Sequence, residues 1–78
     1  MDTGIQEKGE RFKLLAEDYL ERDLVVYIKD IDDNFYFAKI VLVGERFLKI
    51  WCVGPAQREG QELTLEWLRI VKFEEARG

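Results

Sequence analysis

Three stretches decide the fold: LVVYIK (Leu24–Lys29), FYFAKIVLV (Phe35–Val43) and FLKIWCV (Phe47–Val53). Each is rich in β-branched and aromatic residues, which pack well on a pleated surface. Turn residues separate them. Asp32-Asp33-Asn34 follows the first, and such side chains bond their own backbone and tolerate left-handed conformations. Gly44-Glu45-Arg46 follows the second, and Gly54-Pro55 stops the third. The reading is three antiparallel strands in series.

Alternation along a strand sorts these residues into two faces. One set is Leu24, Val26, Ile28, Tyr36, Ala38, Ile40, Leu42, Leu48, Ile50 and Cys52. It is almost wholly apolar and predicts the interior, with Ala38 as the small member where the long second strand bends. The other set is Val25, Tyr27, Lys29, Phe35, Phe37, Lys39, Val41, Val43, Phe47, Lys49, Trp51 and Val53. Its only charges are three lysines, and it carries five aromatic rings. An apolar face of that size marks an interface. Three uses compete for it: cover by an N-terminal helix, pairing of subunits through an edge strand, or a ligand platform.

Outward from this centre, residues 10–22 predict an α-helix. Phe12, Leu15, Ala16, Tyr19 and Leu20 fall at i, i+3, i+4, i+7 and i+8, one apolar stripe. Residues 1–9 hold two glycines and read as a flexible lead-in. On the other side, residues 54–61 form the longest loop. ELTLE (Glu62–Glu66) predicts a short fourth strand, Trp67-Leu68 a tight helical turn with Trp67 as a lid, and RIVKF (Arg69–Phe73) a fifth strand. Residues 74–78 read as a frayed tail. The fold class expected is α+β, mainly β: an N-terminal helix followed by a five-stranded antiparallel SH3-like barrel over residues 10–73.

A chain of 78 residues supports one small domain. It has no His and no Ser, and a single Cys. No Ser-His or Cys-His nucleophile pair can be built, so the chain reads as a binding module and not an enzyme. No zinc set, internal disulfide or cofactor motif is legible. Asp30, Asp32 and Asp33 share one turn but lack the glycine and distal Glu of a calcium loop, so they read as turn residues. No apolar run approaches the roughly 18 residues of a membrane span. Acidic residues near the N-terminus, together with the unpaired Cys, predict a cytoplasmic protein without an export signal. Few Asn and Gln beside many Glu, Lys and Arg give a thermophile-like composition.

Net charge is −4, and it is unevenly placed. Residues 1–23 carry seven acids and four bases, whereas residues 24–73 carry seven of each. A basic patch in the middle would be invisible in the total. Aromatics interleaved with lysines suit single-stranded nucleic acid, because bases stack on rings and lysines hold phosphates. Tyr27, Phe37, Lys39, Phe47, Lys49 and Trp51 are the candidate binding face. The same residues also read as a protein-interaction or homo-oligomer interface, with lysine stems covering apolar surface. Arg58, in the loop GPAQREG, is a candidate partner contact.

The segments VVYIKD (Val25–Asp30), FYFAKI (Phe35–Ile40) and LTLEWLRIV (Leu63–Val71) resemble the Sm-like family of RNA-associated small barrels. The resemblance runs from about Phe12 to Phe73. It implies assembly into rings of six or seven through the fourth and fifth strands, and binding of short U- or A-rich RNA. Ala38 stands where that family usually has Gly, and Gly44 where it has an Asp. Near the family's RNA-contacting positions this chain has Leu48 and Glu66-Trp67, so the resemblance implies topology more than activity. Tudor-like and KOW-like SH3 barrels share the strand pattern.

Overall fold

The computed structural model describes residues 3–76, with side chains described from residue 10. A helix, α1 (Thr3–Glu21), leads into five strands: β1 (Val25–Asp30), β2 (Phe35–Val43), β3 (Phe47–Gly54), β4 (Glu62–Glu66) and β5 (Ile70–Glu75). Short helical turns at Ala56–Arg58 and Trp67–Arg69 flank β4. The strands form one antiparallel sheet in the order β4-β3-β2-β1-β5. β4 and β5 are its two edges. No ladder joins them among the described residues, so the sheet is open.

The expected interior set drives the packing. Val26, Ile28, Ala38, Leu48, Ile50 and Cys52 are fully buried, and Tyr36 and Ile40 nearly so. Each large aliphatic among them contributes roughly 1.5–3 kcal/mol by leaving water. The apolar stripe of α1 joins the same core: Ala16 and Tyr19 are buried, and Phe12 and Leu15 pack against them. The Phe12 and Tyr19 rings lie 5.7 and 5.5 Å from that of Phe73. The helix therefore covers the inner face of the sheet. Trp67 closes one end as the expected lid, 3% exposed, with Nε1 donating to the Gly44 carbonyl at 3.0 Å.

The sheet is open where a barrel was expected, and Leu20, expected on the apolar stripe of α1, is 40% exposed. Three further features depart from the expected pattern. First, helix begins at Thr3, within the stretch read as a lead-in. Gly4 and Gly9 each cost about 1 kcal/mol relative to Ala, but extension of an existing helix is cooperative and needs no new nucleus. Second, the ladder between β2 and β3 shifts register between Ile40 and Leu42. The extra residue reverses the alternation, as a bulge does. Leu42, expected inside, is 46% exposed, while Val43, expected outside, packs on the core. A second shift falls between Phe37 and Ala38, at the small residue expected to mark a bend. Third, residues 74–76 are not frayed. Glu74 pairs with Tyr27 and Glu75 with Val26, and the Ala76 amide donates to the Val25 carbonyl at 3.0 Å. Arg77 and Gly78 lie outside the described residues.

Candidate interaction surface

Because α1 occupies the inner face, the outer face stays uncovered by the described chain. Its exposed apolar members are Phe35 (41%), Val41 (46%), Leu42 (46%), Trp51 (45%) and Val53 (40%). Cross-strand register arranges them in two zones. Around β1 and β2, Tyr27 stands opposite Phe37, and Lys29 opposite Phe35. The rings of Tyr27, Phe35 and Phe37 are mutually packed at centroid distances of 5.3 to 6.3 Å. Toward β4, Trp51 stands opposite Lys39 and Glu62, and Phe47 opposite Glu66. The six residues proposed from sequence thus share one face, but Tyr27 and Phe37 spend part of their ring surface on each other and on Phe35.

Each of the three lysines of β1, β2 and β3 has a carboxylate beside it. Lys39 pairs with Asp23 at 3.3 Å, Lys49 with Glu62 at 3.7 Å and Lys29 with Asp33 at 3.2 Å. The carboxylates come from the helix end, the edge strand and the Asp turn, which alternation within β1 to β3 could not reveal. Asp23 is held there by the helix C-terminus: it has φ +53, and the next amide, Leu24, donates to the Tyr19 carbonyl. Across β1, β2 and β3 the outer face is therefore largely apolar, with its lysines paired.

The Asp turn is a structural device of its own. Asp30 is 5% exposed. Its carboxylate accepts from the amides of Asp32 (2.9 Å) and Asn34 (3.0 Å), from the Tyr36 hydroxyl (3.1 Å) and from Asn34 Nδ2 (3.4 Å). Burial pushes its pKa up, but the hydrogen bonds from Asn34, Asp32 and Tyr36 outweigh that, and the net direction is down. Burial, and then Asp30 itself, push the Tyr36 phenol up. Asp32 turns away to Arg69 and Asp33 to Lys29, so the three carboxylates diverge to separate partners. Among the described residues no group of three carboxylate or thiol ligands converges on a point.

Arg58 completes this network rather than projecting from its loop. Its guanidinium lies 4.7 Å from the centre of the Tyr36 ring and donates to Asn34 Oδ1 at 3.3 Å. It ties the β3–β4 loop to the β1–β2 turn. Cys52 is fully buried, and burial raises its thiol pKa, which suits a core residue and not a nucleophile. Sequence reasoning missed Glu74 and Glu75, which stand opposite Tyr27 and Val26, because the end of β5 read as frayed; Lys72, inside the expected fifth strand, stands opposite Lys29, and the sequence reading assigns it to neither face. No described helix is long and apolar enough to cross a membrane. No protein-family model matches the chain, and no curated protein matches it by sequence comparison.

Proposed function

We propose that the chain is a non-enzymatic protein-interaction module of Sm-like plan, with the outer face of its open sheet as the contact surface. One observation carries the reading. The exposed face is largely apolar, and each of the three lysines it takes from β1, β2 and β3 is paired with a carboxylate. A surface of that kind gains by burial against protein, since it excludes water without stranding a charge. The simplest partner is another copy. The family resemblance points to pairing of β4 with β5, and these are the two open edges of this sheet. Single-stranded RNA is the competing ligand for the same rings. It would have to break the ion pairs of Lys39 and Lys49 and approach an acidic protein.

Sedimentation velocity, run beside a titration with short single-stranded RNA, tests the reading. Self-association that is lost in Trp51→Glu and kept in Lys39→Glu/Lys49→Glu is the expected result. Saturable quenching of tryptophan fluorescence by RNA, weakening as salt rises and abolished by the double lysine change, would replace the protein reading with the RNA one.

A further inference from the structure

A depression straddles the C-terminal end of β5, lined by Tyr19, Tyr27, Phe37, Lys72, Glu74 and Glu75. Register explains its make-up. Tyr27 stands between Phe37 on β2 and Glu74 on β5, so these three share the outer side of the sheet. Glu75 stands opposite Val26, an inner-face residue, and Tyr19 reaches the same strand end from α1. The depression thus has a carboxylate and an aromatic ring on each side of the strand.

Its charges differ from those of the rest of the outer face. Lys29, Lys39 and Lys49 each have a carboxylate partner, but among the described residues Glu74 and Glu75 form no ion pair. The single cation present, Lys72, lies with Nζ 6.0 Å from the centre of the Tyr27 ring. That is the outer limit at which a ring quadrupole attracts a cation. Two carboxylates against one ammonium leave the lining at −1, on a chain whose net charge is −4. An anionic ligand would be repelled there, and a neutral apolar one would desolvate both acids. Aromatic walls with unpaired carboxylates at the rim suit an organic cation, whose charge is delocalised or carried on an apolar stem.

We infer that this depression receives a guanidinium or alkylammonium side chain from a protein partner. Tyr27 and Phe37 are its walls, Glu74 the counter-charge beside them, Glu75 a second one across the strand end, and Lys72 a tethered competitor beside the Tyr27 ring. The inference rests on the protein-binding reading above; it shares Tyr27 and Phe37 with that face but takes its charge from β5, and its test is separate.

The test is an amide NMR titration of the full chain with N-acetyl-arginine amide and N-acetyl-lysine amide, with N-acetyl-glutamine amide as the neutral probe. Saturable shifts centred on Tyr27, Phe37, Glu74 and Glu75 are expected with the cationic probes alone. Lys72→Ala removes the competitor and is expected to tighten binding about two- to fivefold. Glu74→Gln/Glu75→Gln is expected to weaken it by about the same factor. The dispersed spectrum of each variant reports that it has folded. A flat titration, equal shifts with the neutral probe, or weaker binding in Lys72→Ala would overturn the assignment. Arg77 follows Ala76 in sequence and carries the same chemistry, so Arg77→Gln is titrated as well. Equal binding in both supports an external ligand, and binding seen only in the variant would overturn it. Trp51→Glu leaves this titration unchanged. Loss of the outer-face reading and loss of the cation site are therefore separate results.

Discussion

At the β1–β2 turn one carboxylate, 5% exposed, takes four hydrogen bonds from three neighbours. On the outer face three lysines lean on carboxylates whose side chains are 47% to 87% exposed. Both arrangements satisfy charge, yet their energetics differ. Water screens the surface pairs, and each costs the entropy of holding two long side chains, so they contribute little to stability. The buried carboxylate has no water to fall back on, and its partners were desolvated to meet it. The first arrangement holds the turn in one conformation. The second leaves the lysines of β1, β2 and β3 paired and the rings beside them exposed.

Removing the buried acid is the sharpest way to break this contrast. Asp30→Ala strands the amides of Asp32 and Asn34 and the Tyr36 hydroxyl, and is expected to cost about 3 kcal/mol in urea unfolding. An unchanged midpoint would mean that water satisfies the turn. Tyr36→Phe deletes one donor from the same carboxylate and leaves the others in place. Its expected cost is about 1 kcal/mol, measured in the same way.

Acidification probes the group more gently. The folded pKa of Asp30 lies below its unfolded value, so its contribution is complete above the unfolded pKa, about 3.9. It is lost as pH falls through the folded pKa. Stability curves should therefore drop more steeply below about pH 4 for the parent chain than for Asp30→Asn. Parallel curves would assign the acid transition to other carboxylates. The smallest effect belongs to the outer face. Lys39→Ala and Lys49→Ala should each change stability by no more than about 0.5 kcal/mol, because their partners stay hydrated. A loss near that of Asp30→Ala would erase the distinction between the two regions.

Much of the architecture was legible from local pattern. The alternation in β1 and β3 places Val26, Ile28, Leu48, Ile50 and Cys52 inside, where they lie. It fails at one point in β2, because a bulge follows from how two strands fit each other and leaves no mark in the hydropathy of either. The end of β5 was illegible for a related reason. Glu74 and Glu75 look like a solvated tail, and only β1 alongside them turns that tail into a strand. The site followed the same division. Its aromatic and lysine residues could be listed from period two alone, whereas the partners of the lysines come from distant elements.

By itself the sequence determined the kind and order of the elements, the apolar inner face and the surplus of rings outside, since each depends on residues a few positions apart. Tertiary structure alone decided which face the helix covers, that Arg58 is held on Tyr36, and that the lysines are neutralised while Glu74 and Glu75 are not. Those outcomes depend on charges and surfaces that meet only when strands and helix are brought together, at separations in sequence where no periodicity carries information.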